Sequence, residues 1–428
     1  TLDFNFAAEK KLDPRITYQR TGPASFTDEF GKVVLVGDNV PRFDHDPVTR
    51  ESKGILIEES RTNIFASSDP ANSVWLLDGG ITKGANTTET TAPDGTFTAC
   101  KLMSAASANS YSQIYDGLSR SSGGVQSLWV KKGTHNVIGI FDYSGGSGVR
   151  GWFDVNTGEH RCEGGSKVAA GVQSNGNDTN NTNMVEYPNG WYRCIYYEAA
   201  NMSYAHFRIV DFDSDNEVSA SSNSIYLWGL QAEDNDVTFA TSFIPCDTGL
   251  MPGTVTRGED SAVIDGDEFN EFFDHSGIDT NDYQGTLIAS LESPAASSPS
   301  AGRYNKIQLE KSNDNKVQLS LVGGGSPYYD CHITYGTATQ ADFTSSQGST
   351  FPTVIKHGVA YAKNNAAYCY NGNTVETDNS VNVGGISTAT HGKYTQLTIG
   401  GTPTKAHIKR VMYYSQRISN TQLRNLTS

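Results

Sequence analysis

KVQLSLV (316–322) is the stretch that decides the fold class. Val317, Leu319 and Leu321 share one face, while Lys316, Gln318 and Ser320 share the other. That period of two is the signature of a half-buried strand. It recurs in VQSLWVK (125–131), VRGWFDV (149–155), YRCIYYE (192–198), YAHFRIVD (204–211) and GTLIASLE (285–292). Turn clusters separate these runs: SGGSG (144–148), EGGSK (163–167), SNGNDTNNTN (174–183) and GGGSP (323–327). Many short strands with turn signals at this spacing predict a mostly-β chain of sandwiches or jelly rolls. No repeat of roughly 20–50 residues is present, which disfavours propellers and solenoids.

Helical signals are few. DEFNEFF (267–273) sets Phe269, Phe272 and Phe273 at i, i+3 and i+4 behind Asp267 as an N-cap. SNTQLRNL (419–426) carries Ser419 and Gln422 at capping-box spacing, with Leu423 and Leu426 on one side. Each predicts two turns packed on a sheet edge.

Composition narrows the function class. Among 428 residues, 47 acidic against 32 basic side chains give a net charge of −15. That balance argues against nucleic acid or an anionic membrane as the main partner, since both require a basic surface. No apolar run approaches the ~18 residues of a membrane span, so no membrane insertion is expected. Cys100, Cys162, Cys194, Cys246, Cys331 and Cys369 form no C-x-x-C pair and show no zinc spacing. They read as buried apolar thiols made in a reducing cytoplasm.

The same composition sets the boundaries. Residues 1–64 are richer in charge and proline and read as an extended lead-in and docking segment. Residues 65–247 hold all five tryptophans and form the first sandwich. Residues 248–284 form an acidic connector, whose stretch 257–282 carries Arg257 as its one base, and reads as solvated around a short helix. Residues 285–428 lack tryptophan and form a second, differently built core.

Three blocks carry a family resemblance. NVPRFDHDPVTRESKGILIEESRTN (39–63) resembles the P-R-F-D-x-D-P…G-x-L-I-E-x-x-R-T-N block of bacteriophage tail-fibre and minor structural proteins. GWYRCIYYEAA (190–200) and IYLWGLQAEDNDVTFATSFIPC (225–246) resemble the carbohydrate-binding-module-like sandwich that follows that block. SAVIDGDEFNEFFDHSGIDTNDYQGTLIASLE (261–292) and HIKRVMYYSQRISNTQLRNLT (407–427) resemble the concanavalin-like, laminin-G-type sandwich that ends such proteins. Cys246 departs from the pattern, where Thr is common, as does the acidity of the connector. The resemblance implies a virion component with sugar-binding folds, partnered by other virion proteins and, as phage fibres generally are, a homotrimer.

Four groups of residues are candidates for function. In the lead-in, Arg42, Asp44, Asp46, Glu58, Glu59 and Arg61 alternate in sign. They read either as a docking surface for another virion protein or as an intrachain clamp of paired Arg–carboxylate hydrogen bonds, the clamp being favoured. Asp44-His45-Asp46 is a weak metal signal, because alternate side chains of an extended segment point apart. In VRGWFDV, Trp152 lies between Arg150 and Asp154 on one strand face, with Tyr143 just upstream. An aromatic plane beside hydroxyl-binding groups is what a glycan platform needs; the competing reading packs Trp152 under a loop. Trp191 and Trp228 read as core. Tyr328 and Tyr329, beside the GGGSP turn, are the next glycan candidates.

DFDSDNE (211–217) places Asp211, Asp213, Asp215 and Glu217 at alternate positions, enough oxygens to help hold a structural calcium, although a solvated hairpin tip is the favoured reading of this pattern. Finally, no G-x-S-x-G or H-E-x-x-H occurs, and the nine histidines are scattered, so the expectation is a protein without enzymatic activity.

The sequence therefore predicts two consecutive β-sandwiches behind an extended N-terminal segment, in a virion assembled in the host cytoplasm. The expected role is a tail-fibre or fibre-like surface protein that binds a host cell-surface glycan or receptor, multiplied by avidity. The alternatives are a purely structural head or tail fibre or decoration protein, and a polysaccharide depolymerase, which needs only two carboxylates.

Overall fold

The computed structural model describes residues 1–84, 87–105, 112–117, 123–142, 150–177, 180–199, 204–212, 223–234, 239–246, 253–273, 284–293, 302–312, 315–323, 328–336, 338–345, 354–383 and 394–428. The chain is mostly β, as its alternation predicts, and its two sandwiches are antiparallel throughout. In KVQLSLV, Val317, Leu319 and Leu321 enter the core between two sheets. Both predicted helices form, at Gly266–Phe273 and Asn420–Leu426, and a third, Phe6–Glu9, stands in the segment read as extended. The Ser419–Gln422 capping box is formed, whereas Asp267 lies in the first turn of its helix, which starts at Gly266.

The first sandwich pairs two seven-stranded sheets. One runs, in spatial order, through 174–175, 181–187, 191–198, 124–132, 224–234, 100–103 and 82–84. The other runs through 168–169, 159–162, 150–154, 137–142, 204–209, 112–117 and 76–78. Alternate residues of both, among them Leu128, Ile140, Phe153, Phe207 and Leu227, meet in a buried core. Trp75 anchors it edge-on to Phe65 and Phe207. The other faces of the first sheet's strands are also covered. Trp129, Trp191 and Trp228 cluster there with Phe243 and with Val33 of the hairpin 24–36. Trp191 and Trp228 are thus buried, but outside the space between the sheets.

The second sandwich corrects the domain boundaries. Its eight-stranded sheet contains 2–4, 43–45 and 52–57 alongside 285–292, 354–362, 365–370, 376–378 and 406–414. Its seven-stranded sheet takes 17–19 and 261–265 beside 396–401 and the hairpins of 303–344. Residues 1–64 are therefore no separate lead-in. Leu2, Phe4, Ile55 and Ile57 are core residues of the second sandwich, each worth about 1.5–3 kcal/mol when fully buried. Gly54 makes the entry possible: its φ is +87°, and a Cβ there would stand 2.3 Å from the Ile408 carbonyl oxygen.

The first sandwich is then an insertion. The chain leaves the second sandwich through Arg61–Asn63 and returns through Val255–Arg257, and these two strands pair with each other. In the connector, the described residues 255–257 and 261–265 are strands rather than a solvated tether. Arg257 is 0% exposed and Asp260 2%, because both charges are consumed by partners at the seam.

Candidate functional site: the outer sheet face and the charged seam

VRGWFDV behaves as its alternation predicts, and the outcome still refutes the platform at Trp152. Phe153 and Val155 point into the core, and Trp152 takes the opposite face of the sheet. That face is covered. Trp152 is 3% exposed, packed with Val137, Phe141 and Val210. The Arg161 guanidinium lies 5.5 Å from its ring centre. Asp154 is buried too, and its Oδ1 accepts from Asn136 Nδ2 at 2.7 Å and from the Asn156 backbone N–H at 2.9 Å. Burial works against its charge, and these hydrogen bonds prevail, holding its carboxyl below the usual range. Asp154 builds the turn rather than a sugar contact. Arg150 is half-buried, 3.9 Å from Glu163. Tyr143 lies outside the described residues. Of the other pair, Tyr329 is a core residue, edge-on to His357, while Tyr328 is half-buried on the same strand.

Strand register sets two rows across this outer face. One runs Asp78, Gln113, Arg208, Gly139, Trp152, Arg161. The other runs Leu76, Tyr115, His206, Phe141, Arg150. Gly139 is the gap that the Phe141 ring fills, since a Cβ at 139 would stand 2.1 Å from Phe141 Cε2. Arg208 stacks on that ring at 4.5 Å, an arrangement of alternating cations and aromatic rings.

Toward the 76–78 edge the face becomes polar and more open. Gln113 Oε1 accepts from Arg208 Nε and lies 2.9 Å from His206 Nδ1, and Gln113 Nε2 donates to Asp78 at 3.2 Å. Tyr115 stacks on His206, with centroids 5.2 Å apart and planes at 12°, and is half-buried beside the exposed Leu76, while Gln113 and Arg208 are buried. The sequence reading missed this group. Its signal was in YAHFRIVD, where His206 and Arg208 alternate against the apolar Ala205, Phe207 and Ile209.

The lead-in charges form the intrachain clamp. Arg42 Nη1 donates to Glu58 at 2.7 Å and its Nη2 to Asp260 at 2.5 Å. Arg257 pairs with Glu58 at 3.0 Å, and Arg20 Nε lies 3.5 Å from Asp260. All five side chains are fully buried. Ser242, from the end of the inserted sandwich, gives Glu58 both its backbone N–H and its hydroxyl. Burial pushes the Glu58 carboxyl up, and Arg257 and Arg42 outweigh that, holding it well below the usual range. Arg61 bonds Glu59 and the Asp234 carbonyl.

Asp44, His45 and Asp46 take three separate partners: His407, the Thr27 carbonyl, and the 46–49 turn. Among the described residues no three His, Cys, Asp or Glu side chains form a metal-holding group. Asp211 is half-buried, and Asp213, Asp215 and Glu217 lie outside the described residues. All six cysteines are buried thiols, outside any disulfide among the described residues. Burial pushes the Cys100 and Cys162 thiols up to about 12, which leaves them protonated and unreactive.

No protein-family model and no curated protein matches the chain. Solved structures do. One is the carbohydrate-binding module CBM40 of the Ruminococcus gnavus IT-sialidase bound to α2,6 sialyllactose, 14% identical, covering 35% of this chain and 85% of its own, with a TM-score of 0.26. Another is the Trypanosoma rangeli sialidase, 10% identical, covering 77% of this chain and 60% of its own, with a TM-score of 0.27. The chain thus spans less than two thirds of that enzyme. The second of these neighbours is an enzyme, where the sequence predicted a protein without enzymatic activity. At these scores neither likeness assigns this chain a ligand or an activity.

Proposed function

We propose that this chain is a surface protein of a phage particle whose inserted sandwich binds a host glycan at the open end of its outer sheet face. The observation that carries the reading is the half-buried Tyr115 ring near the sheet edge, close to the half-buried Asp78 carboxylate, with the buried Gln113 and Arg208 behind them. An aromatic face takes the apolar side of a pyranose, and a carboxylate such as Asp78, held in place by Gln113, is a partner that hydroxyls need. Homotrimeric assembly supplies avidity to a weak single contact. The sequence blocks 39–63 and 407–427 support the virion assignment.

A glycan array read with the intact protein tests the binding. Wild type binds a defined set of glycans; Tyr115→Ala loses them while circular dichroism shows the fold retained. Unchanged binding by Tyr115→Ala removes the site. The burial of Trp152 favours a second reading, a purely structural fibre or decoration protein, under which wild type binds no glycan at all. Electron microscopy of the particle locates the protein in either case.

A further inference from the structure

A cavity of about 50 Å³ lies where the hairpin 24–36 and the two sandwiches meet. Its wall includes Arg193 from the inserted sandwich, Lys405 from the second, and the carboxylate of Asp44. Arg193 is 6% exposed. Its guanidinium stacks on Trp129 at 4.6 Å, and Nη2 donates to Ser127 Oγ at 3.0 Å. Its buried Nε has no hydrogen-bond partner among the described residues. Lys405 donates to the Ala240 carbonyl at 3.1 Å. Among the described residues, neither cation has a carboxylate within ion-pair distance. Asp44 is already committed, with one oxygen on the Thr27 N–H at 2.6 Å and the other 2.7 Å from His407 Nε2. Glu58, the next carboxylate inward, is held by Arg42, Arg257 and Ser242.

Two cations thus face engaged carboxylates, Asp44 at the wall and Glu58 and Glu233 further off, in a space lined by Ser25, Thr27, Tyr187 and Ser242 as well as by Trp129, Phe243 and Leu56. A buried charge without a counter-charge is costly, and the cost is relieved by an ion of opposite sign. The size limits which ion. A water requires roughly 10–15 Å³ of such volume, so the cavity takes about four non-hydrogen atoms and excludes a pyranose ring. We infer that this junction cavity is a binding site for a small anion, a halide or the carboxylate of a one- or two-carbon acid. Bound there, it bridges Arg193 and Lys405 and so ties the inserted sandwich to the second one.

The test uses the full chain at fixed pH and ionic strength, exchanging sodium gluconate, whose anion is too large for the cavity, for sodium chloride or sodium formate. The expected result is a saturable rise in melting temperature as the small anion replaces gluconate, because a ligand of the folded state stabilises it by mass action. A rise with chloride assigns a halide and a rise with formate a carboxylate. Lys405→Met abolishes the rise while the protein remains folded in gluconate. Crystals grown in sodium bromide place an anomalous peak between Arg193 and Lys405. Equal melting temperatures in all three salts, an undiminished rise in Lys405→Met, or bromide peaks elsewhere and none in the cavity overturns the inference.

Discussion

Glu58→Gln isolates what the clamp contributes. In the folded chain Glu58 is 0% exposed and is bonded to Arg42, to Arg257 and twice to Ser242. The buried cluster holds three guanidiniums, from Arg20, Arg42 and Arg257, against two carboxylates, from Glu58 and Asp260. Neutralising Glu58 leaves three cations with one anion. Breaking a buried pair from one side costs about 3–5 kcal/mol, since the remaining charge stays desolvated. For a cooperative unit of 150–250 residues each kcal/mol is worth about 2–4 °C, so the melting temperature should fall by roughly 6–20 °C.

Calorimetry at pH 7 reads this directly, and the pH dependence provides an internal check. The folded carboxyl is depressed below its unfolded value near 4.5. Its contribution is therefore complete above that pH and is lost as pH falls through the lower, folded value. The gap between wild type and Glu58→Gln should stay constant from pH 7 to about 5 and close only in stronger acid. A shift under 2 °C at pH 7, or a gap that closes near pH 6, would refute the clamp as a stabilising element.

The remaining predictions concern the core, the histidines and calcium. Trp152→Ala should cost about 3–5 kcal/mol, so any loss of glycan binding in that variant should track loss of fold on circular dichroism. Burial lowers His160 and His206 to about 4 and His357 to about 3. The unfolded chain takes up these protons from pH 6.5 while the fold refuses them, so stability is full above 6.5 and is lost as pH falls toward 4. Each neutral histidine gives a slope of about 1.4 kcal/mol per pH unit. Burial lowers His332 as well, so the second sandwich, like the inserted one, holds two such histidines, and both unfolding transitions should lose stability over this range; a transition insensitive to pH between 6.5 and 4 in calorimetry would remove this account. The calcium proposed at Asp211, Asp213, Asp215 and Glu217 should make a chelator lower the melting temperature, and an unchanged curve retires it.

The strands and most core positions were legible because the period of two is a local property. Val317, Leu319, Phe153 and Val155 could be assigned a face from their own neighbours. The clamp was half legible: alternating Arg and carboxylate in 42–61 announced pairing, but not that Asp260 and Arg257 complete it. Those two sit in an acidic stretch whose composition reads as solvated, and only the return of the chain to the strand 61–63 buries them. Trp152 marks a different limit. Alternation says which side of a sheet a residue takes and nothing about what lies over that side. The Gln113–His206–Arg208 group was hidden for the same reason, since its members come together through register between 112–117 and 204–209.

The pairing of Leu2–Phe4 with Val411–Tyr413 has a consequence for how the protein is made. A ribosome delivers the first of these strands roughly 400 residues before its partner, so the second sandwich cannot close during synthesis. Its early strands, with apolar Leu2, Phe4, Ile55 and Ile57, must wait unsheathed for the partner sheet. The inserted sandwich has no such delay, for its strands pair within 76–234 and are complete long before release. Domains generally fold as units during synthesis. A nascent chain stalled near residue 300 should therefore already protect 76–234 from protease while leaving 1–57 open to cleavage. Protection of both at that length would mean the early strands find another shelter.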